Sequence, residues 1–176
     1  MKKILSALSI ITVILYFSSC EKDDICVEGD TPFLVIGFYD ADDEDTTVFK
    51  TVSSLRIRGI DNDSIYSSDT FSDRSSVSDS ILIPLRLDNT TTQFEFISNS
   101  ATDDATELET GIIDTLSFNY EVGEEYVSRA CGFVGNFNEL DTTRQVFSSD
   151  WIKRITILES DIDLEKSNTI HVKIFH

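Results

Sequence analysis

The amino-acid sequence predicts an all-β protein, a single antiparallel β-sandwich of about eight or nine strands that is immunoglobulin-like or related and contains little helix. Apolar and polar residues alternate with a period of two in several short segments, which is typical of strands with one buried and one solvated face. Runs rich in Asp, Asn, Ser and Thr separate these segments. No window of the sequence shows a long helical period.

The predicted strands follow one another through the body of the chain. They occupy residues 33–38, 55–58, 81–87, 94–96, 116–122, 126–133, 152–158 and 170–174. Pro84 cannot donate a backbone hydrogen bond, so its strand is expected to be an edge strand or bulged. Any helix is expected to be short and to lie between residues 138 and 151. Trp151 is expected to pack in the core or against a loop, and His171 to be exposed on its strand beside Lys173.

The charge and apolar content of the chain exclude two classes of protein. The 176 residues include 14 Lys and Arg against 32 Asp and Glu, a net charge of −18. Because such a chain repels phosphate backbones, no nucleic-acid partner is expected. A hydrophobic share of 40% with 12 Phe is too high for a disordered acidic chain. The basic residues on strand faces, Arg56, Arg58, Arg86 and Lys173, are expected to be solvated and to discourage edge pairing.

The N-terminal segment has the layout of a secretory signal peptide. Lys2 and Lys3 precede a mostly apolar run of about 14 residues, short of the roughly 20 needed to span a bilayer. Cys20 stands at the expected cleavage point, so the segment resembles a bacterial lipoprotein signal and Cys20 is predicted to be the lipid attachment site. An uncleaved short membrane anchor is the alternative. The predicted organisation is a signal peptide at 1–19, a lipidated acidic tether at 20–30 and a β-sandwich domain at 31–176.

Removal of residues 1–19 would leave 12 basic and 32 acidic residues, a net charge of −20. Membrane contact is therefore expected through the lipid anchor alone. Lys22, Asp23 and Asp24 resemble the export signal that sends lipoproteins of the Bacteroidota to the cell surface; the alternative is a solvated tether. We expect a lipid-anchored outer-membrane protein, with the cell surface favoured over the periplasmic side.

Two cysteines, Cys26 and Cys131, remain beyond the predicted lipidation site. An even pair in an oxidising envelope favours one disulfide. A catalytic thiol and two inert buried thiols are the alternatives.

Acidic loop clusters raise the possibility of calcium binding. Calcium needs six to eight oxygen ligands around one point, and neither cluster has the Gly and Glu spacing of an EF-hand loop. No cofactor or metal site is predicted, and calcium is the one alternative. The clusters are Asp40, Asp42, Asp43, Glu44 and Asp45, and Asp61, Asn62, Asp63 and Asp69.

Recognisable enzyme signatures are missing from the sequence. It contains no HExxH, CxxC or GxSxG and no phosphate-binding loop. No catalytic residue is therefore predicted. The expected function is a non-catalytic binding or assembly module of the cell envelope that holds a protein or glycan partner. The alternative is an envelope hydrolase that depends on acidic residues or a metal.

Several short motifs together resemble an uncharacterised family of small Bacteroidota envelope lipoproteins, a domain of unknown function. The resemblance implies a β-rich envelope lipoprotein and a bridge between Cys26 and Cys131, and it supplies no catalytic residues. The motifs are Cys20 with residues 21–26, the first strand at 31–40, residues 130–132, residues 150–152 and the ending at 171–174.

Overall fold

The computed structural model describes residues 31–43, 47–60, 62–145 and 150–176. Within these ranges the chain forms β-strands and no helix, so the all-β prediction is confirmed. The strands are β1 (Leu34–Tyr39), β2 (Val52–Gly59), β3 (Ser75–Val77), β4 (Ser80–Ile83), β5 (Thr91–Ser98), β6 (Ile112–Ser128), β7 (Gly132–Gln145), β8 (Arg154–Ile157) and β9 (Val172–Phe175).

The strands form two sheets that pack on each other as a β-sandwich. The first has the order β4-β1-β9-β8 and the second β3-β2-β5-β6-β7. The strand pairs are antiparallel, as predicted, except that β1 and β9 pair in parallel, with Ile36 opposite Val172. Local alternation carries no information on strand direction, and here the first and last strands meet. Pro84 directly follows β4, which is an edge strand as predicted.

Aromatic rings fill the space between the sheets. Phe94, Phe96 and Phe118 lie 6.4–6.5 Å apart, between ring centroids, on β5 and β6. Trp151 lies in the core as predicted, 6.4 Å from the ring of Phe38. Its indole nitrogen donates a hydrogen bond of 3.0 Å to the carbonyl of Phe96, so this large side chain is buried without losing its polar contact.

A buried carboxylate ties β6 to the segment that leads into β8. Asp114 is fully buried, and one of its oxygens accepts the amides of Trp151 and Ile152, each at 2.9 Å. The guanidinium of Arg144 lies 3.4 Å from its other oxygen and 3.3 Å from Asp150. Burial raises the pKa of Asp114 in spite of these partners. Nothing in the local sequence pattern indicated this contact.

The position of Arg56 contradicts the expectation that basic residues on strand faces discourage edge pairing. It lies on β2, an interior strand between β3 and β5. Its Nη2 atom lies 2.6 Å from Asp73 and its Nη1 atom 3.0 Å from Glu109. The side chain is therefore a structural tie to two loops.

The β6–β7 hairpin is longer than the rest of its sheet. β5 pairs with β6 only between Ile112 and Asn119, and beyond that point β6 and β7 pair with each other. We call residues 121–138 the hairpin arm. The expectation of one strand over 126–133 was wrong, because a turn at residues 129–131 divides it, and β7 then begins at Gly132 with φ of +72°. The expectation of a short helix between 138 and 151 was also wrong for residues 138–145, which belong to β7.

His171 is fully buried, so the prediction that it is exposed was wrong. Its Nδ1 atom accepts the amide of Val35 at 3.0 Å. The period of two implied a solvated face at this position. Instead the segment after β8 folds back beside it, and the amides of Leu158 and Glu159 donate to the carbonyl of His171 at 2.7 and 3.3 Å.

Candidate functional site

Most of the site residues predicted from sequence lie outside the described residues. These are Cys20, Cys26 and the Lys22, Asp23 and Asp24 export signal. Cys131 lies in the turn between β6 and β7, where its amide donates to the Ser128 hydroxyl at 3.1 Å. Lipidation, export and the Cys26 to Cys131 disulfide therefore stay predictions. In the part of the chain that the structure describes, no helix is long and apolar enough to cross a membrane.

The acidic loops do not assemble a metal site within the described residues. The carboxylate of Asp40 accepts Lys50 Nζ at 2.9 Å and the amide of Asp42 at 3.1 Å. The Lys50 contact is the main cause of the lowered pKa of Asp40. Glu44, Asp45 and Asp61 lie outside the described ranges, and those ranges hold no group of three His, Cys, Asp or Glu side chains suited to a metal.

A cleft of about 590 Å³ in the described part of the chain is a candidate binding site. It is bounded by the end of β2 with the loop that follows, by the segment after β4 and by the start of β5. The second sheet therefore contributes strand residues to one side, and the segment that leaves β4 of the first sheet forms the other. We call it the inter-sheet cleft, and it is lined by Gly59, Asn62, Ser64, Ile65, Tyr66, Ser67, Pro84, Leu85, Arg86, Thr92, Gln93 and Phe94.

Tyr66 fixes the first wall of the inter-sheet cleft. Its amide donates to the carbonyl of Ile57 at 2.8 Å, which holds the loop against β2. Its hydroxyl donates to the carbonyl of Leu82 on β4 at 2.6 Å, so one side chain joins the two sheets. Its ring stacks on Phe71, with 6.0 Å between centroids. These contacts leave the neighbouring Ile65 as the exposed apolar residue of this wall.

Backbone contacts of Arg86 fix the second wall. The Arg86 amide donates to the hydroxyls of Thr92 and Tyr120, each at 3.0 Å. The Tyr120 hydroxyl in turn donates to the Arg86 carbonyl at 2.8 Å, and burial raises the pKa of Tyr120. The Arg86 guanidinium contacts both oxygens of Asp88, at 3.0 and 3.1 Å. Hydrogen bonds within the protein thus hold both walls of the cleft. The cleft is therefore preformed, as small-molecule sites usually are.

Comparison with protein families identifies the chain at the level of a family. Residues 54–176 match a model described as a family of unknown function, DUF6452. The chain belongs to this family. The match includes every residue that lines the inter-sheet cleft, and it confirms the resemblance to an uncharacterised family. The Bacteroidota and lipoprotein parts of that resemblance stay predictions. No curated protein and no solved structure matches the chain.

The described lining of the inter-sheet cleft is mixed in chemistry. Its lining combines apolar side chains with hydroxyl and amide groups. Hydrolysis by paired carboxylates needs two acids at one site, and among the described residues the lining of the cleft includes no Asp, Glu, His or Cys. The polar groups can donate and accept hydrogen bonds around a ligand that packs against Ile65, Pro84 and Phe94.

Sequence reasoning missed the inter-sheet cleft because its walls come from three separate segments. The run at 62–70 indicated only a loop, and Pro84 indicated only an edge strand. The signal that could have found the site is Ile65-Tyr66, an apolar and an aromatic residue within that otherwise polar loop.

Proposed function

We propose that the protein is a non-catalytic binding module of the cell envelope that holds a neutral glycan or peptide segment in the inter-sheet cleft. The observation that carries the proposal is a cleft of about 590 Å³ whose described lining contains apolar, hydroxyl and amide groups and one guanidinium, with no carboxylate among these residues. Ligand sites in proteins have this size and this mixture of an apolar surface with a few polar groups.

The charge of the protein supports a neutral ligand. The net charge of the whole chain is −18, which disfavours nucleic acids and anionic lipid headgroups. Arg86 is the one cationic side chain among the described residues of the cleft lining, and its guanidinium is engaged by Asp88. An anionic ligand at this cation would therefore meet the Asp88 carboxylate beside it.

The proposal includes the predicted address of the protein. Cys20 carries the lipid that anchors it in the outer membrane, and Lys22, Asp23 and Asp24 direct it to the cell surface. A disulfide between Cys26 and Cys131 fastens the tether to the domain. Contact with the membrane is through the lipid alone, and the partner is an envelope glycan or protein.

A ligand-stabilisation experiment tests the binding role. The purified chain is heated with short neutral oligosaccharides and, separately, with capped neutral peptides, and the melting temperature is recorded. A probe that binds the folded state at a hundred times its Kd adds about 2.7 kcal/mol to the free energy of unfolding, and so raises the melting temperature. We expect at least one class of probe to do so.

The matched variants are Ile65→Asp and Leu108→Asp. Ile65 is 46% exposed in the cleft wall, and Leu108 is 67% exposed outside the cleft. We expect the ligand-induced shift to disappear in Ile65→Asp and to persist in Leu108→Asp. A lack of any shift with both classes of probe, or equal shifts in the two variants, would refute the proposal.

A further inference from the structure

One wall of the inter-sheet cleft is a short segment, residues 64–67, that pairs with the end of β2. The Ser64 carbonyl accepts the amide of Gly59 at 2.9 Å. The Tyr66 amide donates to the carbonyl of Ile57 at 2.8 Å. These two bonds fix the segment antiparallel to β2, at the margin of its sheet. We call residues 64–67 the cleft edge.

The backbone of Ile65 faces away from β2. Successive residues of a strand direct their amide and carbonyl groups alternately to one side and to the other. Because Ser64 and Tyr66 bond to β2, the amide and carbonyl of Ile65 between them point outwards. Ser67, two residues further along, has the same orientation in an extended chain. Among the described residues, the backbones of Ile65 and Ser67 have no hydrogen-bond partner.

Two other sheet edges of the protein are closed by its own chain. On the outer side of β7, Phe137 exchanges two backbone hydrogen bonds with Ile162, at 3.0 and 2.7 Å. On β4, the Leu82 carbonyl accepts the hydroxyl of Tyr66. Open edges are commonly protected by charged side chains or proline, which discourage pairing with another chain. The cleft edge reads Ser-Ile-Tyr-Ser and has neither, so it is open to pairing.

The inter-sheet cleft provides space and apolar surface beside the cleft edge. Ile65 and Ser67 both line its volume of about 590 Å³, and Pro84 lies on the opposite wall. The side chains of Ile65 and Pro84 are exposed. In an extended chain the backbone groups point sideways while side chains alternate between the two faces. A strand in the cleft could therefore pair with the edge and pack its side chains on these two residues.

We infer that the ligand of the inter-sheet cleft is an extended, uncharged peptide segment that adds as a strand to the cleft edge. Its carbonyls accept the amides of Ile65 and Ser67, and its amides donate to their carbonyls, as in other cases of strand addition. A polypeptide carries one backbone donor and one acceptor per residue, which matches this regular pattern and favours a peptide over a glycan. The inference rests on the proposed function, because it names the class of ligand that the cleft holds.

N-methylated peptides test the inference on the purified full chain. The probe is a capped hexapeptide of alternating valine and serine, and its Kd is obtained from the rise in melting temperature with peptide concentration. Alternate amides of a strand face the same side. N-methylation of residues two and four, or of residues three and five, therefore removes donors on opposite sides. One modified peptide should bind about ten-fold more weakly, and the other within about two-fold of the parent.

Ile65→Pro and Ile65→Ala form the matched pair on the protein. Both remove most of the side chain, but only proline removes the amide donor. Proline is tolerated in a strand where the amide faces away from the sheet. Ile65→Pro should bind the unmodified hexapeptide about five-fold more weakly than Ile65→Ala. If Ile65→Pro already melts early without peptide, the two N-methylated peptides decide on the wild-type chain.

The outcomes separate this inference from the proposed function. A rise in melting temperature with neutral oligosaccharides and none with the hexapeptide would overturn the inference and leave the binding role standing. Equal losses of affinity for the two N-methylated peptides, or equal affinities of well-folded Ile65→Pro and Ile65→Ala, would overturn strand addition in the same way. No rise with either class of probe would refute both proposals.

Discussion

The sandwich body and the hairpin arm share two strands but differ in what covers their aromatic residues. In the body, Phe96 and Phe118 are fully buried between the sheets. Near the turn of the arm, Tyr126 and Phe133 lie on the same β6 and β7 strands and are exposed to 54% and 68%, whereas Phe137 at the base of the arm is fully buried. Alternation of apolar residues therefore specifies a strand, whereas burial requires a second layer. The body has that layer from the opposite sheet, and among the described residues the arm has little of it.

The largest expected difference between the two regions comes from removing one ring in each. Phe118→Ala should lower the free energy of unfolding by about 4 kcal/mol, because it removes a fully buried ring and leaves a cavity. Phe133→Ala should cost about 1 kcal/mol or less, because most of its surface is already exposed. Urea denaturation measures both values. Similar losses in the two variants would contradict the distinction between body and arm.

The next largest effect is expected from removing the buried Asp114 carboxylate of the sandwich body. Asp114→Ala should cost about 3 kcal/mol, because it leaves the amides of Trp151 and Ile152 without their acceptor. We expect a value at the lower end for buried ion pairs because Arg144 keeps its contact with Asp150.

Asp88→Ala is the matched control for Asp114→Ala. Its carboxylate also contacts an arginine, Arg86, but the side chain is 76% exposed. Exposed ion pairs contribute little to stability, so this variant should unfold within about 0.5 kcal/mol of the wild type. An Asp114→Ala variant as stable as Asp88→Ala would show that the buried tie is dispensable.

The sequence predicted the strands in which apolar and polar residues alternate. Residues 55–58, 94–96 and 116–122 all lie within β2, β5 and β6. β7 was missed because polar residues follow its first few positions, and its pairing comes from β6 and not from its own pattern. β3 was missed because three residues are too few to show a period.

The candidate sites could be predicted only in part. Cys131 and the family resemblance came from local motifs, which sequence reasoning can find. The inter-sheet cleft depends on the contact between Tyr66 and Leu82. This contact joins separate segments of the chain, and Ile65-Tyr66 indicates only one of its two sides.

The smallest effect concerns the two buried polar atoms that have no partner among the described residues, Nε2 of His171 in the body and Oδ1 of Asn136 in the arm. Only the histidine titrates, so the body should carry a pH dependence near neutrality that this position of the arm cannot. The carboxylates whose pKa is lowered, such as Asp73 and Glu109, become protonated only at lower pH.

The sign follows from the contacts of His171. Its Nδ1 atom accepts the Val35 amide, so the folded state holds the neutral ring. Burial lowers its pKa, while the charges of Asp163 and Glu159 raise it and that of Lys166 lowers it. Below a pH of about 6.5 the unfolded chain binds a proton that the folded state resists. Stability should therefore fall as the pH falls from 7 towards 5.

His171→Asn removes this titration and keeps a side-chain oxygen that can accept the Val35 amide. The pKa of His176 is also lowered by burial, so the variant should retain a shallower slope rather than none. Each histidine contributes at most about 1.4 kcal/mol per pH unit. Urea denaturation at several pH values between 5 and 7 gives both slopes. Equal slopes in the wild type and in His171→Asn would mean that the buried ring does not resist protonation.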